Sequence, residues 1–91
     1  MRKTDMEIYE IECVILNTLK EISSNQELTA ECNIKQDVDI DSIGWLRCLI
    51  QLEKEYGCIF NPQAIFNSNV VTIQDFMDKV IEYLKAYKKL N

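Results

Sequence analysis

The chain contains no histidine. That removes Ser-His and Cys-His catalysis and every histidine metal site. It has only two glycines, Gly44 and Gly57, too far apart for a Gly-rich phosphate loop. A single proline, Pro62, argues against a turn-rich β protein. Cys13, Cys32, Cys48 and Cys58 include no C-x-x-C, and their wide spacing argues against a zinc site. No apolar run approaches the roughly 18 residues of a membrane span, and no apolar signal core follows the first residues. A cytoplasmic protein with reduced thiols is the expectation. Positive charge is scarce: 10 Lys and Arg stand against 15 Asp and Glu, for a net charge of −5. Nucleic-acid binding needs clustered Lys and Arg, and an anionic membrane surface makes the same demand. Neither is expected as a partner, nor is membrane insertion, whereas basic partner proteins fit.

What is present suits one small core. A chain of 91 residues is one domain by size, here 1–91 with its core over about 5–87. With 47% hydrophobic and 27% charged residues, disorder is excluded over most of the length.

Thr4 and Glu7 have the spacing of a capping box. Ile8, Ile11, Ile15, Leu19 and Ile22 then recur at intervals of three and four, with Glu10, Asn17, Lys20 and Glu21 opposite. This predicts an amphipathic helix over about 5–22, with Glu12 at the edge of its apolar stripe. Ser23-Ser24-Asn25 breaks the pattern. From there to Ile40 the chain is polar, apart from isolated Leu28, Ile34 and Val38. Such a length is unusual for a plain loop in a compact domain. The loop must pin itself with those apolar residues or serve a function.

A second helix is expected from Asp41-Ser42, whose side-chain oxygens can accept from free backbone N–H groups. Ile43, Leu46, Leu49, Ile50, Leu52 and Tyr56 form a broad apolar arc, with Gly44, Arg47, Gln51 and Lys54 on the opposite, exposed stripe. Glu53 projects into the apolar arc with no local explanation. Gly57 is placed to end the helix in the left-handed conformation. Asn61-Pro62 starts a short third helix in which Ile65 and Phe66 can bury. Thr72 caps a fourth, with Asp75 in its first turn favoured by the helix dipole. Ile73, Phe76, Met77, Val80, Leu84 and Tyr87 form its stripe, and Lys85, Lys88 and Lys89 complement its end. Leu46, Ile50, Tyr56, Phe60, Ile65 and Phe76 are core candidates, with Met6 and Met77 as gap fillers. The fold class is therefore all-α: a small four-helix bundle of three longer helices plus one short helix.

Composition and periodicity stop there. The order of residues goes further. Asp37-Val38-Asp39-Ile40-Asp41-Ser42-Ile43 leads into Leu46, Leu49 and Leu52-Glu53-Lys54-Glu55-Tyr56-Gly57. Phe60-Asn61-Pro62 and Val71-Thr72-Ile73-Gln74-Asp75-Phe76 follow. This resembles the acyl carrier protein family, which includes peptidyl, aryl and D-alanyl carriers, over about residues 5–85. The family pattern is D-L-G-x-D-S-L/I, a helix ending in L-E-x-x-F/Y-G, then T-V-x-D and an apolar residue. D-S-I alone is weak; its spacing to the later landmarks carries the resemblance.

The resemblance implies attachment of 4′-phosphopantetheine, from coenzyme A, to Ser42, with Asp41 assisting the modification. Taken alone, Ser42 is a plain N-cap and Asp41 a charge at a helix start. The chemistry is sound independently of the family. A helix N-terminus offers unpaired N–H groups and partial positive charge to a phosphodiester. No base is present to activate Ser42, so it is an attachment point and not a catalytic nucleophile. The implied protein is no enzyme and has no metal site of its own. It is a monomeric, stand-alone carrier of thioester-bound acyl groups. Its partners are a phosphopantetheinyl transferase and the loading and acceptor enzymes of an acyl or aminoacyl pathway. They dock on the second helix, at Ile43, Gly44, Trp45, Arg47 and Gln51, and on the loop before Ser42. An aminoacyl, peptidyl or D-alanyl carrier is the nearest alternative, and a cofactor-free helical interaction module is the alternative of another class.

Two departures stand out. Asp39 occupies the usual glycine position, which bears on the tightness of the loop before Ser42. Gly44 and Arg47 occupy positions where fatty acid carriers usually have acidic residues. Arg47 opposes docking on the basic patches typical of their partner enzymes, because like charges cost affinity and slow encounter. That points to dedicated partners in a specialised pathway: polyketide, non-ribosomal peptide or lipid-related biosynthesis. The lone Trp45 is expected to be partly buried against the long loop, or else to flank the arm and narrow the entrance to the bundle.

Overall fold

The computed structural model describes the backbone of residues 3–88 and the side chains of residues 8–86. Its helices are α1 (Lys3–Ile22), α2 (Ser42–Tyr56), α3 (Pro62–Ile65) and α4 (Ile73–Lys88). They form the small all-α bundle that the periodicity predicts, three longer helices and one short one. α1 packs on α2 and α4, and α3 packs on α4. The radius of gyration, 12.5 Å, is close to the roughly 12 Å of a compact chain of this length. Among the described residues no helix is long and apolar enough to cross a membrane.

α1 buries Ile11, Ile15 and Leu19 from its predicted stripe, with Ile8 and Ile22 packed at its edges. It begins at Lys3, so Thr4 stands inside the first turn instead of capping it. The side chains of Thr4, Met6, Glu7 and Tyr87 lie outside those described, as do the structures of residues 89–91, Lys89 among them. Glu12, at the stripe's edge, accepts a hydrogen bond from Gln74 Nε2 at 3.0 Å and so ties α1 to α4.

The long segment between α1 and α2 pins itself by two means. Leu28, Ile34 and Val38 are buried in the core. Its middle also runs along the entry to α4, where Asn33 and Thr72 form an antiparallel bridge and Ile34 N donates to Val71 O at 2.9 Å. Ile73 N donates to Cys32 O at 2.9 Å and Gln74 N to Ala30 O at 2.8 Å. The first N–H groups of a helix have no partner within it. Here loop carbonyls satisfy two of them, and Thr72 Oγ1 accepts from Asp75 N at 3.1 Å. Asp75 Oδ2 in return accepts from Thr72 N at 3.1 Å and Val71 N at 3.0 Å.

α2 differs from its predicted orientation. Its buried residues are Gly44, Cys48, Leu49 and Leu52, with Trp45 and Tyr56 half-buried. Leu46 and Ile50 are not core residues: they are 46% and 50% exposed, and Ile43 is 67% exposed. Gly44 is not on the exposed stripe. A Cβ there would stand 2.6 Å from Ile40 Cγ2 and 3.3 Å from Ile22 Cγ2. The missing side chain lets the start of α2 settle against the end of α1 and the preceding loop. The helix is apolar on too many sides for the wheel alone to choose its inner face, and this close approach chooses it.

The other end of α2 follows expectation. Gly57 adopts φ 65° and ψ 36°, and its N–H bonds to Glu53 O at 2.8 Å. The Glu53 carboxylate turns down to accept from Phe60 N at 2.9 Å, which explains its place beside the apolar arc. Asn61 caps α3 by accepting from Gln63 N at 3.0 Å, with Pro62 in the first turn. Phe60, Ile65, Phe76 and Met77 are buried, as are Ile73, Val80 and Leu84 of the α4 stripe.

Candidate functional site

The start of α2 separates two roles that one serine can play. Asp41 has extended backbone and is the N-cap, its Oδ1 accepting from Gly44 N at 2.8 Å. Its carbonyl accepts the first helical bond, from Trp45 N at 3.0 Å. Ser42 is therefore not the cap. It is the first residue of the helix, it is exposed, and its hydroxyl makes no hydrogen bond among the described residues. With Gly44 N taken by Asp41, the N–H groups of Ser42 and Ile43 are the unpaired donors at this end. They and the helix dipole suit a phosphate ester on Ser42 Oγ.

Asp39, at the expected glycine position, accepts from Ser24 Oγ at 3.3 Å, joining the loop before Ser42 to the turn after α1. Both residues are exposed.

A groove of about 660 Å³ opens beside Ser42. Its apolar lining is Ile34, Ile40, Trp45, Leu46, Phe66 and Val70, and its polar lining is Lys35, Asn67 and Ser68 with Ser42 itself. The volume lies within the roughly 300–1,000 Å³ of small-molecule sites. Three rings stiffen the apolar wall. Trp45 meets Phe66 edge-on at 5.4 Å and Phe76 at 5.1 Å, while Phe66 and Phe76 stack at 5.3 Å and 9°. Trp45 is half-buried as expected and lines the groove with Ile34 and Ile40 of the long loop, and its aromatic partners come from the α3 end and α4.

Of the surface residues expected to dock partners, Ile43, Arg47 and Gln51 are exposed. Gly44 is buried and is a packing residue instead. Trp45 faces the groove. Arg47 shares a small cleft with Asp39 and Asp41 on the far side of the α2 start, and makes no ion pair among the described residues. Lys54 continues the basic side of this face.

Sequence reasoning assigned no site role to several contributors to the groove, among them Lys35, Phe66, Asn67, Ser68 and Val70. The long loop signals a functional segment and so points loosely to Lys35. Phe66 reads only as a residue to bury, and Asn67, Ser68 and Val70 carry no site signal in the sequence. Nothing local places them opposite Ser42. Comparison of the chain with protein-family models, with curated proteins and with solved structures finds no match.

Proposed function

We propose that the chain is a carrier protein of the acyl carrier type, modified with 4′-phosphopantetheine at Ser42. The observation that carries this reading is the division of labour at the start of α2: Asp41 caps the helix, and Ser42 keeps an exposed, uncommitted hydroxyl. In the modification, Ser42 Oγ bonds to the β-phosphorus of coenzyme A. The phosphoanhydride bond breaks, 3′,5′-ADP leaves, and the hydroxyl proton passes to a base on the transferase. The arm's thiol then holds cargo as a thioester. This chain's residues hold the phosphate end of the arm, through Ser42 and the free N–H groups beside it. They perform no chemistry on the cargo.

Partner enzymes meet the exposed face of α2. Ile43, Leu46 and Ile50 supply apolar contact, and Arg47, Gln51 and Lys54 give a neutral-to-basic flank on an otherwise acidic protein. A partner with an acidic rim fits this face. Such a preference supports a dedicated pathway of polyketide, non-ribosomal peptide or lipid-related type, with acyl or aminoacyl cargo.

The test is intact-protein mass after incubation with coenzyme A and a broad-specificity phosphopantetheinyl transferase, beside Ser42→Ala. One phosphopantetheine increment on the wild type alone is expected. A folded wild-type protein that gains nothing from several transferases favours the cofactor-free interaction module, for which the apolar face of α2 is the docking surface.

A further inference from the structure

Resting on the carrier reading, we infer that the cargo is a short apolar or aromatic acyl group that lies in the groove beside Ser42, outside the helical core. Two observations carry this. First, Ser42 itself lines the groove. A group tethered there samples the groove at high effective concentration, so weak apolar contact suffices to hold it. Second, a cluster of packed rings stands between the groove and the buried Phe76 of the core. Trp45 stands edge-on to both Phe66 and Phe76, and those two stack on each other. Phe76 is fully buried, as are Cys48 and Leu52 on the facing side of α2.

A long chain entering the core has to displace this cluster. Close-packed interiors resist such insertion, because it forces side chains off their rotamers. A short acyl group needs no displacement. It lies against the exposed side of Trp45 and Phe66, with Leu46 and Val70 completing the apolar contact. An aromatic acyl group gains an edge-to-face partner in Trp45 as well. Lys35 stands at the rim as the cationic member of the lining.

Trp45 is the sole tryptophan and therefore a built-in reporter. The transferase can load whole arms from benzoyl-, butyryl- and hexadecanoyl-coenzyme A, with coenzyme A giving the free-thiol arm. Mass spectrometry confirms attachment in each case. The benzoyl and butyryl forms are expected to shift Trp45 emission relative to the free-thiol arm. The hexadecanoyl form is expected to leave amide exchange at Phe76, Val80 and Leu52 unchanged. Ser68→Phe, an exposed substitution that fills the groove, is expected to abolish the acyl-dependent shift in molecules that mass spectrometry shows to carry the arm.

Attached arms that leave Trp45 emission indifferent to the acyl group overturn the groove assignment, and so does slowed core exchange in the hexadecanoyl form. Both results leave the carrier reading standing. A folded protein that takes no arm from any donor overturns both together, and the mass spectrum separates that case from the others.

Discussion

The Glu53 carboxylate accepts the backbone N–H of Phe60 at 2.9 Å, across the turn that ends α2. Phe60 is 3% exposed, so its N–H has no ready access to water as a substitute partner. Glu53→Ala is expected to cost about 1–3 kcal/mol, the range for leaving a buried donor unsatisfied. Glu53→Gln retains an acceptor oxygen and is expected to cost less. Urea unfolding of the three proteins measures the difference.

Gly44→Ala sets two effects against each other. Alanine gains up to about 1 kcal/mol of helix propensity over glycine, and less in a first turn. Its Cβ, however, meets Ile40 Cγ2 at 2.6 Å, and that methyl is fixed on a branched, stiff side chain. Overpacking of this kind costs about 1–3 kcal/mol. A net loss of stability is expected by urea unfolding, partly relieved in the double variant with Ile40→Ala, which removes the Cγ2 methyl. A net gain would show that the loop before α2 yields freely.

Asp41 variants separate capping from modification. Asp41→Ala is expected to cost about 1 kcal/mol through the lost cap. Asp41→Asn keeps an oxygen to accept from Gly44 N and is expected to stay near wild-type stability. On the carrier reading, Asp41→Asn still slows arm attachment, because the carboxylate charge is lost. Thermal unfolding beside a time course of mass increase checks both halves.

Stability is expected to fall in acid partly through Asp75. Hydrogen bonds from Val71 N and Thr72 N hold its carboxyl below the ordinary value. A carboxylate depressed in the folded state stabilises above its unfolded pKa, about 3.9, and that contribution is lost as pH falls through the lower folded value. Asp75→Asn is expected to flatten the loss of stability below about pH 4. Unfolding curves from neutral pH down to strongly acid pH measure it, with an NMR titration of Asp75 as a direct check.

The thiols should divide into two classes. Burial pushes the Cys48 thiol up to about 12, so the nucleophilic thiolate is scarce at neutral pH. Cys58 is buried too, whereas Cys13 and Cys32 are partly exposed. A thiol reagent at neutral pH is expected to label Cys13 and Cys32 in the native protein, and Cys48 and Cys58 only on unfolding. Because the Cys48 pKa is raised on folding, its contribution to stability is complete below the unfolded value, about 8.5. It declines as pH rises from there toward about 12.

The elements whose causes are local were legible from residue order. Asn61-Pro62, Thr72 with Asp75, and Gly57 mark helix ends because each satisfies, or removes the need for, a backbone group a few positions away. The stripes of α1 and α4 were legible because each helix has one apolar face. The exposed serine was legible in part. Residue order points to Asp41-Ser42, and the geometry assigns the cap to Asp41 alone.

What sequence alone determined is thus the helices, most of their ends and the residue pair at the start of α2, largely fixed by interactions within about one turn. Tertiary structure alone decided which way α2 faces. Ile43, Leu46 and Ile50 are as apolar as Leu49 and Leu52, so no wheel can rank them. The contact of bare Gly44 with Ile40 and Ile22 turns them outward. The groove is likewise a product of the fold. Ser42 and Trp45 come from one stretch of chain and Phe66 and Val70 from another, and their meeting depends on packing between elements that no local pattern encodes.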